Sequence, residues 1–121
     1  MTDPTFILFG NPSVEKTDTT PNANITSGDP KMGAWVYGND AKTGSRCGFW
    51  ECTAGDQRVK MDGYMEFCHI LEGEAEITLL KDGSKRTVRA GDSFMMEAGL
   101  EMDWHVPTYI RKCFVISDVV S

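Results

Sequence analysis

The stretch Glu66-Phe67-Cys68-His69-Ile70-Leu71-Glu72-Gly73-Glu74-Ala75-Glu76-Ile77-Thr78-Leu79 decides the fold class. From 74 to 79 acidic or hydroxyl side chains alternate with apolar ones, a period of two that only an extended strand converts into one dry and one wet face. Ala75, Ile77 and Leu79 are therefore assigned to the core, and Glu74 and Glu76 to water. The same alternation, counted from Glu66, puts Cys68 and Ile70 on its face and Phe67, His69 and Leu71 on the other. The segment Lys81-Asp82-Gly83-Ser84 follows, and its Asp-Gly pair supplies the positive φ that tight hairpin turns need. A hairpin between 74–80 and 85–90 is expected.

Working outward, short apolar or alternating runs separated by glycine predict strands near 33–37, 48–54, 57–62, 64–72, 85–90, 93–97, 101–106 and 109–117. No window of eleven residues carries a sustained 3.6-residue apolar period with caps, so the class is all-β, a sandwich or a barrel. Residues 11–32 are dominated by Asn, Pro, Ser, Thr, Asp and Gly, a turn-rich composition. Residues 1–32 are read as an arm that pairs at a sheet edge, where Phe6-Ile7-Leu8-Phe9 can dock as an edge strand, or crosses to a second subunit.

The 121 residues suffice for one core and one domain. With 18 acidic against 12 basic side chains, the net charge of −6 repels a phosphate backbone, so nucleic acid is not an expected partner. No apolar run reaches the roughly 20 residues that span a bilayer, which argues against a membrane helix. The start MTDPTFILFGNP has neither the basic residues nor the apolar stretch of a secretory signal, and a cytoplasmic location is expected. Cys47, Cys52, Cys68 and Cys113 form no C-x-x-C pair and are read as free thiols, mostly buried as small hydrophobes.

Two spacings narrow the fold. In Glu66 to Gly73 a glutamate is followed, after six residues, by a glycine; in Gly91-Asp92-Ser93-Phe94-Met95-Met96-Glu97-Ala98-Gly99 seven residues separate two glycines. This skeleton resembles the two cupin motifs in order, with the hairpin between them. From Trp50 to Ile116, through Trp50-Glu51-Cys52-Thr53-Ala54-Gly55, Ile70-Leu71-Glu72-Gly73-Glu74, Arg89-Ala90-Gly91-Asp92 and Arg111-Lys112-Cys113-Phe114-Val115-Ile116, the chain resembles small cupins similar to the ureidoglycine aminohydrolase cupin domain and the ethanolamine-utilisation cupin. The resemblance implies a double-stranded β-helix, the cupin jelly-roll barrel, over 33–121, with an extended N-terminal arm. It also implies a homodimer, which suits an antiparallel fold whose open edges need partners.

The cupin metal ligands do not carry over. The resemblance places the histidine-x-histidine pair at Lys60 and Asp62, the third histidine at Met102 and the usual proline at Glu97, leaving Glu66 alone. A lysine ammonium has no lone pair to offer a divalent ion, so no metal or other cofactor is expected. Strand alternation from Met102 turns Trp104 inward. The inferred pocket gathers Lys60, Asp62, Glu66, Cys68, Met102 and Trp104. His69 and His105 point away from it, Glu101 and Asp103 are solvated, and Trp35 and Trp50 are core or interface anchors.

Three functions remain open. The first is a cupin that binds a small polar metabolite in the barrel without metal. The second is a small-molecule enzyme similar to ureidoglycine aminohydrolase, with Glu66 as catalytic acid or base and Lys60 as its electrostatic partner. The third is a structural or interaction module in which Lys60 pairs with Glu66 or Asp62 and Met102 and Trp104 fill the interior.

Overall fold

The computed structural model describes residues 4–119. It is antiparallel and all-β apart from one short 3-10 turn at Thr20–Asn22. The strands are β1 (Thr17–Asp18), β2 (Asn24–Gly28), β3 (Met32–Asp40), β4 (Ser45–Lys60), β5 (Tyr64–Leu79), β6 (Lys85–Arg89), β7 (Ser93–Met96) and β8 (Glu101–Asp118).

Three strands are longer than the sequence suggests. The predicted pairs 48–54 with 57–62, 64–72 with 74–80 and 101–106 with 109–117 are continuous as β4, β5 and β8. Each passes through two layers and bends where the ladder is irregular: between Thr53 and Gly55 in β4, and between Ile70 and Glu72 and again between Gly73 and Glu76 in β5. Bulges sharpen the local twist and let one strand turn a corner between sheets. At the β5 corner Gly73 has φ +76, and a Cβ there would lie 1.8 Å from the Tyr109 carbonyl oxygen of β8. Only glycine fits that approach.

One layer runs β1-β3 and then the first half of β4, the second half of β8, the first half of β5, and β7. The other joins β2, the end of β4, the start of β8, the end of β5, and β6. This is the jelly-roll barrel. The expected hairpin is present, with Glu74 opposite Arg89 and Thr78 opposite Lys85. Its turn closes where Leu79 N donates to Ser84 O and Gly83 N to Leu79 O, both at 2.8 Å. The inward residues lie as the alternation requires: Cys68, Ile70, Ala75, Ile77, Met102, Trp104 and Ile110 form the buried core, joined by Met61 and Val106.

Residues 4–31 differ from expectation in one respect. Phe6 to Leu8 are exposed and outside any strand, with a single bridge from Leu8 to Asn11. Pairing falls instead to Thr17–Asp18 on β3 and Asn24–Gly28 on β4. Phe9 does cover apolar surface, stacking on Tyr37 with centroids 5.1 Å apart and meeting Phe49 edge-on. No helix among the described residues is long and apolar enough to cross a membrane.

Candidate functional site

A cavity of about 250 Å³ opens inside the barrel, lined by Trp50, Gln57, Glu66, Met96, Trp104 and Lys112 among others. Register explains why these side chains meet. Trp50 stands opposite Lys112 on the β4–β8 ladder, Gln57 opposite Trp104, and Glu66 opposite Met96 on the β5–β7 ladder, so each pair shares the inner face.

At the centre, Lys112 Nζ donates to Glu66 Oε2 at 2.6 Å, and the Cys68 thiol donates to the same oxygen at 3.1 Å. The ammonium lies 4.7 Å from the Trp50 ring centroid and 4.9 Å from that of Trp104, within range of cation–π attraction. The two indoles meet edge-on at 6.0 Å, and Phe94 tilts against Trp104 at 6.2 Å. Burial alone would lower the lysine pKa. The Glu66 carboxylate, with Cys68 beside it, outweighs burial and holds Lys112 above the usual lysine range. Lys112 is thus a fixed cation and not a nucleophilic amine. Burial pushes the Cys68 thiol up to about 12, against the lowering pull of Lys112. The thiol stays protonated at neutral pH.

The six residues assigned to the pocket from sequence fare differently. Glu66 and Trp104 line the cavity, and Cys68 is buried directly behind Glu66. Met102 is buried but lines a second cavity, of about 380 Å³, with Ile77, Leu79 and Leu100. Lys60 and Asp62 are outside: both are exposed, and Lys60 Nζ pairs with Glu101 Oε1 at 3.5 Å. The reason is a parity break. Asp62 and Gly63 lie in the turn between β4 and β5, so inward positions on β4 are Gln57 and Val59 and cannot be counted back from Glu66.

The buried ion pair anticipated between Lys60 and Glu66 therefore exists with a different lysine. Lys112, Trp50 and Gln57 were not assigned to the pocket from sequence, although Ile110-Arg111-Lys112-Cys113-Phe114 alternates and points Lys112 inward with Ile110 and Phe114. The histidines do face away: His69 Nδ1 meets Ser93 Oγ at 2.7 Å, and His105 pairs with Asp56 on the outer face. Asp103 is bound bidentately by Arg58 at 2.9 and 3.1 Å. All four cysteines are free, with Cys52 and Cys68 buried.

These residues do not fit a cupin metal centre. Of the four ligand positions, Lys60 and Asp62 face solvent, Met102 offers a thioether packed in the core, and the Glu66 carboxylate is engaged by an ammonium.

The EutQ-like cupin domain family matches residues 40–114. No curated protein matches the chain. Among solved structures, the EutQ protein of Clostridium difficile superposes with TM-score 0.66 at 17% identity, over 88% of this chain and 75% of its own. Ectoine synthase from P. lautus gives 0.64 at 14% identity, over 74% and 66%. A DUF861 family protein from Thermotoga maritima gives 0.52 at 31% identity, over 56% and 75%. A match spanning more than half the sequence and both motifs, on a barrel of the expected topology, shows that the chain belongs to the EutQ-like cupin domain family.

Proposed function

We propose that the protein binds a small polar metabolite inside the barrel without the help of a metal. The observation that supports this reading is the cavity walled by Trp50, Trp104, Glu66 and Lys112. A concave site with mostly apolar walls and a few placed polar groups is what small-molecule recognition requires. A barrel serving only as a packed module would have filled this space with side chains. Acid or base catalysis by Glu66 with Lys60 as partner is disfavoured, because Lys60 lies outside and Lys112 engages the carboxylate.

A thermal-shift screen of small metabolites and divalent metals tests the proposal, since any ligand of the native state raises the midpoint by mass action. Saturable stabilisation by a metabolite, abolished in Trp104→Ala or Lys112→Met at matched fold, is expected. A stoichiometric transition metal lost with Glu66→Ala would overturn it.

The homodimer belongs to the same proposal. Phe67, Leu71, Met95 and Val115 are exposed, and Phe67 stands opposite both Met95 and Val115. They form an apolar band across β7, β5 and β8, a face that a second copy would cover. Sedimentation of Phe67→Lys against the parent protein tests it, with a shift to monomer expected.

A further inference from the structure

Resting on the reading of the 250 Å³ cavity as a small-molecule site, we infer that its occupant is an uncharged molecule presenting a carbonyl-type hydrogen-bond acceptor, and not an ion. Three features of the wall converge on this.

A cation finds its place taken. The positions that attract a positive group are the Glu66 carboxylate and the faces of Trp50 and Trp104, and Lys112 Nζ stands against all three, at 2.6, 4.7 and 4.9 Å. The barrel carries its own ammonium.

An anion finds no unspent charge. Glu66 and Lys112 are the charged residues of the wall and they neutralise each other. A second carboxylate beside Lys112 would crowd Glu66 and leave the barrel with an unbalanced buried charge, which is costly. The overall charge of −6 adds long-range repulsion.

Neutral polar groups are what remain. Gln57, in the wall and mostly buried, brings a carboxamide and stands opposite Trp104 on the β4–β8 ladder. A carboxamide N–H donates and its oxygen accepts, and neither carries a charge. A ligand that meets the N–H offers an acceptor oxygen and needs no charge. The volume holds about eight waters at their liquid share, so the ligand has about that many non-hydrogen atoms.

Butyramide, butyrate and pentylammonium, closely matched in size and differing in charge, make the test. Each is titrated to about 100 mM into the full chain while the three indole N–H resonances are followed by proton–nitrogen correlation. Trp104 is assigned with Trp104→Phe, or by elimination with Trp35→Phe and Trp50→Phe if that variant does not fold. Butyramide is expected to move the Trp104 resonance saturably while the two ions do not. Gln57→Leu is expected to weaken butyramide about fivefold, the loss of one neutral hydrogen bond. A saturable shift from butyrate or pentylammonium as large as that from butyramide overturns the inference yet leaves the small-molecule reading standing. No shift from butyramide also overturns it, and the metabolite screen then decides the broader reading separately.

Discussion

Lys112 Nζ sits 2.6 Å from Glu66 Oε2 inside the barrel, with side chains 7% and 10% exposed. A pair so placed has given up its hydration, and its mutual attraction offsets that cost only while both partners are present. Removing one strands the other in an apolar wall. Lys112→Met and Glu66→Met are each expected to cost about 3–5 kcal/mol. The double change Glu66→Met with Lys112→Met, which fills the space with apolar volume, should return to within about 2 kcal/mol of the parent. Urea unfolding of the four proteins closes the cycle. Additive single costs would show that the two groups are not coupled.

Alkaline pH should unfold the protein in a defined window. The ordinary thiol pKa of 9.0 is pushed up to about 11 at Cys52 and about 12 at Cys68, in both cases by burial above all. A group raised in the fold keeps its proton longer than the unfolded chain does. Its contribution is whole below the unfolded value and is lost as pH rises toward the folded one. Lys112, raised by Glu66 against its own burial, follows the same sign at higher pH, beyond the ordinary 10.5. The unfolding free energy is therefore expected to be level from about pH 7 to 8.5 and to fall above 9, each thiol contributing a slope of about 1.4 kcal/mol per pH unit. Cys68→Ala should lower the stability at pH 7 and flatten the fall between 9 and 12. An unchanged slope in that variant would remove Cys68 as a cause.

What the sequence made legible was whatever depends on parity within one unbroken strand. Glu66, Cys68 and Ile70 share the inner face because β5 is straight between them, and the 74–89 hairpin follows from alternation and Asp82-Gly83. What it hid depends on parity across a turn or on contacts far apart in the chain. Lys60 was placed inward by carrying the cupin spacing back from Glu66 through Asp62 and Gly63, which lie outside both β4 and β5, so the motif's count and the strand's parity part there. Lys112 and Glu66, 46 positions apart, meet only because β5 and β8 pair. The continuity of β4, β5 and β8 was hidden for a related reason. Gly55 and Gly73 read as breaks, and in the structure they are corners within one strand.

The thiols should separate by reactivity. Cys52 and Cys68 are buried with raised pKa values, so neither thiolate nor access is available at neutral pH, whereas Cys47 and Cys113 are partly exposed. Brief alkylation with iodoacetamide at pH 7.5, read by peptide mass spectrometry, is expected to label Cys47 and Cys113 first. Cys52 and Cys68 should label only in denaturant. Equal labelling of Cys68 in the native protein would mean that the interior opens on the timescale of the reaction.

Two glycines with nearly the same backbone angle separate strain from collision. Gly73 has φ +76 and Gly83 φ +74, so alanine at either carries a left-handed penalty of about 1–2 kcal/mol. At Gly83, in the hairpin turn, nothing lies within 4 Å of the added Cβ, and that penalty is the whole effect. At Gly73 the methyl would overlap the Tyr109 carbonyl, and β5 and β8 would have to part at the corner that brings Glu66 and Lys112 into one wall. Gly83→Ala is accordingly expected to lose about 1–2 kcal/mol by urea unfolding and to keep ligand binding. Gly73→Ala should lose at least twice as much and, if it folds, bind more weakly because the cavity is distorted. Equal costs at the two positions would mean that the β5–β8 corner yields freely, and that the cavity does not depend on this close approach.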